Sequence, residues 1–594
     1  MNRTRAHLAV IGVLTLTACS SAPAPPPAAS PADRSAQVAA LVNEAQQHLF
    51  DQSPYLQVRA GRLIGKLPDL SPEQEARDAA FVRSLLERVK AIPENEVGHE
   101  DALTLSILRW EAELASQNQV FYWLRFPYTP YVAGTSLNFV HQQIAAHPFT
   151  DPALHPANYL MVLAEYADQL DQFTAHLEGQ RQRGIYLSRH ALPGVIGLFR
   201  NYRANAPALL TVAPERLAAL DPAAREKFAA AVATALEGRI LPAFDRFIAA
   251  LESPDYQAKA PEAVGLSQYP GGEGYYRLLV KYHTTMEVTP EALHELGKQR
   301  LAEIEATLAA IRAELGFTGT QEEFHQKLRT DPQFFAKTPA EVEDRFKTYI
   351  ARIEPLLPQY FRRMPKAPYG VKRLDPAVEP AMTFGYYQAP TPDENIGLYR
   401  YNGSRLDQRP QIWAGPLIYH ELVPGHHFHL ALQSENEGLP AFRRDYLSSS
   451  AFNEGWGNYG ARLAAEMGLL SDPYDRYGAA LFDAFITTRL VVDTGMNLKG
   501  WSLEEGRQFM AAHTFQSAAE IASESLRYSA DLNGQALAYK AGLEKLLELR
   551  EKVKTRAGDR FDIRDFHDAV LGSGALPMAV LEKHLDWYFS QPRN

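Results

Sequence analysis

Cysteine is almost missing from this chain: of its 594 residues, only Cys19 is one. That excludes internal disulfides and a cysteine-rich metal site. Positive charge is not in surplus either. Lys and Arg number 60 against 70 Asp and Glu, and a net charge of -10 over this length leaves no basic stripe for a nucleic acid. A serine hydrolase fits poorly, because no G-x-S-x-G elbow is present. The glycines of "GVIGLF" and "YPGGEGYY" lack the spacing of a phosphate-cradling loop. No repeat of fixed period runs through the sequence.

The one cysteine sits in an informative place. "MNRTRAHLAVIGVLTLTAC" has a basic start at Arg3 and Arg5, then an apolar run of about ten residues, too short to span a bilayer. It reads as a signal peptide, residues 1–19. Its end, Leu16-Thr17-Ala18-Cys19, is similar to a bacterial lipobox, which implies lipidation of Cys19 and a membrane attachment through that lipid. "SSAPAPPPAASPADRS", residues 20–35, reads as an extended Pro/Ala/Ser tether. By analogy with Gram-negative lipoproteins, Ser20 after the cysteine points to the outer membrane, with the rest of the chain in the periplasm.

From about residue 36 the pattern is helical. Stretches such as "ARDAAFVRSLLERVKAI" and "LHELGKQRLAEIEATLAAIRAEL" repeat apolar residues at intervals of three and four. Ser71-Pro72 and Thr289-Pro290 each read as a cap followed by a first-turn proline. Residues 365–409 differ, being rich in Pro, Gly and aromatics, with short β-like runs "AMTFGYYQ" and "IGLYRYN". The expected fold is all-α, built mainly of long helices, with a small β-insert there. Residues 36–594 carry no composition break that forces a cut. The softest boundary, Ser253 to Tyr276, suggests an N-terminal lobe 36–265 and a catalytic half 266–594.

The chemistry concentrates in "LIYHELVPGHHFHL", Leu417 to Leu430. It opens like the zinc-protease motif HExxH, in which two histidines four apart differ by about 40° around a helix and reach one metal. The intervening glutamate then deprotonates water on that metal. Here Pro424 stands where the second histidine belongs. On a straight helix His426 would lie about 120° from His420, and His427, on the same face, about 10 Å further along. Proline opens a helical turn and Gly425 adds freedom, so a distortion at Pro424-Gly425 is required to bring His426 back to His420. Geometry alone leaves His426 and His427 both open. Downstream, "SSSAFNEGWGNYGARLAAEMGL" centres Glu454 among Gly455, Gly457 and Gly460, small residues that let helices approach. A carboxylate in so apolar a window needs a partner, and a metal would be one.

HExxPGHH followed by EGW about thirty residues on resembles the signature of the bacterial family designated domain of unknown function 885. Further matching blocks are "GGEGYYRLLVKYHTT", "RLVVDTGMNLKGWSLEEGRQFM", "LRYSADLNGQALAYKAGL" and "FDIRDFHDAVLGSGALPMAVLE", so the resemblance covers most of residues 36–594. The family resembles gluzincin-type zinc metallopeptidases, with an architecture similar to the helical bowl of thimet oligopeptidase and Taq carboxypeptidase. The resemblance implies His420 and His426 as paired ligands, Glu454 as the third and Glu421 as general base. It also implies one zinc per chain, although cobalt or manganese would suit the same donors. Asp493 is a candidate acceptor orienting a ligand histidine, with His427 a second residue behind the ligands. The chain departs from the family pattern at Asn497, where a histidine is expected, at Asn533-Gly534, in place of Pro-Gly, and at His429, often a glutamine.

Peptide hydrolysis also needs oxyanion donors and, where termini are recognised, a cation. Arg527, Tyr528 and Tyr539 are the candidates, and Tyr386 and Tyr387 of the β-insert are candidates for lining a cleft. The expected function is a zinc-dependent hydrolase cutting amide bonds of short peptides. The alternatives are a zinc amidase or esterase on a non-peptide substrate, or an inactive binding lipoprotein.

Overall fold

The computed structural model describes residues 31–591 apart from 377, 378, 380–384, 392 and 393. The signal segment, Cys19 and most of the tether lie outside the described residues. The tether's last five residues do not. Residues 31–35 open a helix, Pro31–Gln52, instead of extending the Pro/Ala/Ser segment. The reason lies downstream, where Val38, Leu41, Val42 and Ala45 bury at helical spacing and make the whole stretch one amphipathic face.

The chain is helical almost throughout, with one small sheet. The expected helix starts form as capping chemistry demands. Ser71 accepts from the Gln74 N–H ahead of Pro72–Lys90, and Thr289 accepts from the Ala292 N–H ahead of Pro290–Glu314. Within 365–409 the chain builds three strands, β1 (Tyr369–Arg373), β2 (Tyr386–Gln388) and β3 (Gly397–Tyr401), in the order β1-β3-β2. β1 runs parallel to β3 with Tyr369 opposite Gly397, and β2 runs antiparallel to it with Tyr387 opposite Tyr399. Only residues 385–388 of the run "AMTFGYYQ" are described.

Two large apolar cores hold the helices. One uses residues between Ile64 and Ala260; the other joins residues from Leu301 to Leu585 with Val38–Leu108. The boundary expected near residue 265 therefore separates the cores only in part, because the first helices pack into the second core. Helix Ser450–Glu466 lies against helix Leu537–Ala557 where Gly455 faces Gly542. A Cβ on Gly455 would come within 2.7 Å of the Gly542 Cα, so the approach requires glycine there. These two helices and helix Pro473–Asn497 form the scaffold onto which the HExxPGHH segment is pressed.

Candidate metal centre

Pro424 ends a helix; it does not merely kink one. Helix Ala414–Glu421 stops after the glutamate, and a second helix, His426–Glu435, starts at the histidine. Leu422 to Gly425 bridge the two, with a cis Val423–Pro424 peptide. The break is held by Trp456, whose Nε1–H donates to the Pro424 carbonyl at 2.8 Å. It also needs Gly425, since a Cβ there would fall 1.8 Å from the His420 carbonyl oxygen. The sequence argument required a bulge, and the fold supplies a full interruption that re-aims His426.

The outcome is a convergence of three donors. Nε2 of His420 lies 3.4 Å from Glu454 Oε2, and Nε2 of His426 lies 3.6 Å from the same oxygen. One ligand atom from each residue lies within 4.8 Å of the other two. Donors about 2.0–2.1 Å from a tetrahedral ion stand roughly 3.3–3.4 Å apart, so the spacing suits an ion better than direct hydrogen bonds. The two rings stand nearly perpendicular, at 79°, with centroids 4.6 Å apart.

Protonation points the same way. Asn458 donates through Nδ2 to the Tyr539 carbonyl at 3.1 Å, and a carbonyl can only accept. The other end of that amide, Oδ1, therefore faces His420 Nδ1 at 3.0 Å as an acceptor. With Nδ1 carrying that hydrogen, Nε2 is the ring atom available to ligate a metal, and it faces the Glu454 carboxylate at 3.4 Å. Burial raises the Glu454 carboxyl and the contacts with His420 and His426 lower it; the contacts prevail and hold it ionised far below its ordinary value. Burial works against a charged His426, yet Glu454 and then Glu421 raise its pKa. His420, His426 and Glu454 could thus hold a metal ion.

Glu421 borders the same space. Burial pushes its carboxyl up, His420 and His426 pull it down, Glu454 adds to the rise, and the main-chain N–H of Tyr387 hydrogen-bonds to it. The β-insert thus delivers a backbone donor to the acid beside the ligands. The three donors and Glu421 open on a cleft of about 900 Å³. Tyr386, Tyr387, Arg489, Arg527 and Tyr539 also line it, and Tyr131 of helix Pro130–Ala146 closes part of the far wall.

Other expected site residues take different posts. Asp493 orients no ligand histidine. It is fully buried and accepts from Tyr276 Oη, Asn497 Nδ2 and the Gly534 N–H, which joins three distant segments. The residue that fixes His420 is Asn458, which sequence reasoning missed; its signal was an amide just after the EGW motif, one residue past Gly457. His427 accepts the Tyr387 hydroxyl at 3.0 Å on Nδ1 and donates from Nε2 to the Ala367 carbonyl at 3.0 Å. Burial lowers its pKa to about 4, so it is a neutral ring that secures the β-insert, away from the ligand cluster. His429 pairs with Gln433 in the core.

Tyr528 does not line the cleft. It is wholly buried behind Arg489 and Glu524, hydrogen-bonded to both. Arg527 and Tyr539 do line it. Arg489, which the sequence reading passed over, lines it too, stacked on Phe485 and Tyr539 at 4.2 and 4.3 Å. Two of the three departures from the family pattern meet each other: Asn533 Nδ2 donates to Asn497 Oδ1 at 2.8 Å, and Asn497 also accepts the Leu266 N–H. Both asparagines do structural work away from the ligands.

Among the described residues, no helix is long and apolar enough to cross a membrane. No curated protein matches the chain. Two solved structures are similar over nearly its whole length. A candidate lipoprotein from Colwellia psychrerythraea has a TM-score of 0.81 at 26% identity, covering 94% of this chain and 99% of its own. A candidate lipoprotein of unknown function from Shewanella oneidensis has a TM-score of 0.70 at 18% identity, covering 92% and 99%, and supports the fold alone. Residues 54–585, the span that contains the whole HExxPGHH and EGW arrangement, match the family described as "Bacterial protein of unknown function (DUF885)", and the chain belongs to that family.

Proposed function

We propose that this protein is a zinc-dependent hydrolase that cuts amide bonds of short peptides. The observation that carries the reading is the convergence of His420 Nε2, His426 Nε2 and one Glu454 oxygen, with the acid Glu421 alongside. Two imidazoles and one carboxylate suit zinc among divalent ions. When bound, such an ion supplies Lewis acidity, which acidifies water and polarises a carbonyl.

The rest is the work of side chains. Asn458 keeps the proton of His420 on Nδ1. Glu421, whose carboxyl burial raises, accepts a proton from the attacking water and passes it to the leaving amine. The Tyr539 hydroxyl stands in the cleft as a donor for charge developing on the carbonyl oxygen. A cleft of about 900 Å³ suits a short peptide better than a folded protein.

Lipid attachment at Cys19 belongs to the same proposal. The lipobox-like Leu16-Thr17-Ala18-Cys19 supports it, as does the likeness to the candidate lipoprotein from Colwellia psychrerythraea. The domain would then work in the periplasm from an outer-membrane anchor.

The test is elemental mass spectrometry on untagged protein made from Ser20 onward, beside His420→Ala and Glu454→Ala, followed by a peptide-library screen with Glu421→Gln. One zinc per chain, lost in both ligand variants, with cleavage lost in Glu421→Gln, is expected. Protein that takes up no zinc at neutral pH would sink the hydrolase reading.

A further inference from the structure

The cleft contains more fixed charge than water activation needs, and its distribution is uneven. Arg489 and Arg527 are buried on one wall with a single glutamate, Glu524, between them. Arg527 Nη1 spans both oxygens of Glu524 at 3.2 Å, and its Nη2 reaches Gln535. Its Nε is shut away without a partner, and each outward nitrogen of Arg527 already holds an acceptor. Arg489 is different. Nε donates to the Tyr528 hydroxyl at 2.9 Å and Nη2 to Glu524 Oε2 at 3.1 Å. Its Nη1 has no hydrogen-bond partner among the described residues and is not among the atoms sealed from solvent.

Glu524 thus divides its charge between two guanidiniums, and the one with a spare donor faces the cavity. Asp531, also near Arg527, does not redress the balance at Arg489, because it is engaged by the Tyr131 N–H at 3.0 Å. Phe485 and Tyr539 clamp the Arg489 guanidinium face to face, which fixes its direction and strips it of water. A desolvated, pre-aimed arginine with one open edge suits a carboxylate.

Its distance from the metal cluster is short. The His420 ring and the Arg489 guanidinium both pack on the Tyr539 ring, with centres 6.4 and 4.3 Å from it. An extended residue spans roughly 3.3–3.6 Å, so no more than about three residues separate a bond broken at His420 from a charge held at Arg489. Near Arg489, Arg527 lies over the Tyr131 ring at 5.4 Å.

Building on the hydrolase reading, we propose that Arg489 receives a carboxylate of the bound peptide, with Arg527 neutralising Glu524 so that it can. The site then selects peptides by a negative charge close to the scissile bond, and where that charge is the terminal carboxylate the enzyme removes one to three residues from a C-terminus.

The experiment compares one short peptide as free acid and as C-terminal amide, and a second, amidated pair with Glu or Gln near the cleaved bond. All four are offered to the zinc-loaded protein, to Arg489→Met and to Arg489→Lys. The free acid is expected to exceed its amide by roughly a hundredfold in kcat/KM, the scale of one desolvated charge pair. Arg489→Met should erase that ratio and keep one zinc per chain, and Arg489→Lys should restore part of the ratio. Discrimination only in the Glu/Gln pair would also support a carboxylate at Arg489, assign it to a side chain, and discard the C-terminal mode. Acid and amide cut equally in both pairs by the unaltered protein would overturn the inference while leaving the hydrolase standing, and this arm needs no variant to fold. No cleavage of any peptide, with no zinc bound, would overturn the hydrolase reading and this inference with it.

Discussion

Replacing Gly457 with alanine should damage metal binding far more than folding. A Cβ built at Gly457 lies 2.7, 2.8 and 3.0 Å from Cε1, Nδ1 and Nε2 of His420, whereas ordinary contact begins near 3.4 Å. Either the ring retreats by about 0.7 Å or the helix does, and metal ligands tolerate roughly 0.5 Å of misplacement. The ring has little room to retreat, because Asn458 grips Nδ1 and the Phe482 ring lies 5.9 Å away. Two opposed terms set the stability change. Alanine in mid-helix is worth about 1 kcal/mol over glycine, and overpacking a dense core costs about 1–3 kcal/mol. The net should fall between no change and a loss of about 2 kcal/mol. For the metal there is no such offset, and a loss of affinity of about 10- to 100-fold is expected, the range seen when a ligand histidine loses its support. Competition against a fluorescent zinc chelator gives the affinity, and urea unfolding in EDTA gives the stability. A zinc affinity within twofold of the unaltered protein, in a variant that folds, would refute the reasoning and remove His420 as a ligand held in place by this packing.

Three further outcomes follow from the same geometry. Asn458→Leu removes the acceptor that fixes the His420 tautomer, and should weaken zinc binding by about 10- to 100-fold in the same chelator assay. Trp456→Phe removes the donor to the Pro424 carbonyl and should cost about 1–2 kcal/mol in urea unfolding, with a loss of zinc affinity because the helix break is no longer tied. Burial raises the Asp493 carboxyl from 3.8 to about 7, against the pull of Tyr276, Gly534 and Asn497. A folded-state pKa above the unfolded one means that the folded protein binds the extra proton. Asp493 therefore lowers stability progressively as pH rises from about 4 to about 7, by up to roughly 4 kcal/mol, with no further change above. Asp493→Asn keeps the oxygen that Tyr276 and Asn497 use, and should flatten that part of the stability-pH curve; an unchanged slope would show that Asp493 is ionised in the fold.

The helical class, the small β-insert and the metal cluster were all legible before any coordinates, for local reasons. Apolar spacing, caps at Ser71 and Thr289 and the Pro/Gly/aromatic run around 365–409 are encoded within a few residues. His420 and Glu454 stood out because a carboxylate in an apolar window and a broken HExxH make physical sense together, and the family resemblance chose His426 over His427. The geometry of the break could be stated as a requirement but not solved. A bulge within one helix and two separate helices satisfy the same sequence, and the choice depends on Trp456 reaching Pro424 from another helix.

What stayed hidden depends on long-range register. Asp493 was placed behind a histidine because an acid in the apolar run "VVDTGMN" invites that reading, yet its partners are Tyr276 and Gly534, brought in from elsewhere in the chain. Arg527 and Tyr528 are neighbours in sequence, and one turn of helix cannot point both into a cleft. The π-helical turn Arg527–Asp531 sends the arginine in and buries the tyrosine. Arg489 escaped notice because nothing in "FITTRLVVD" distinguishes a surface arginine from one clamped between Phe485 and Tyr539. Its value follows from a difference no single segment contains: two arginines share one glutamate, and the hydrogen bonds leave only Arg489 with an open edge. Ligand identity here is written in short motifs, which sequence displays directly. Substrate choice is written in how three helices divide a charge, and that exists only once they are packed.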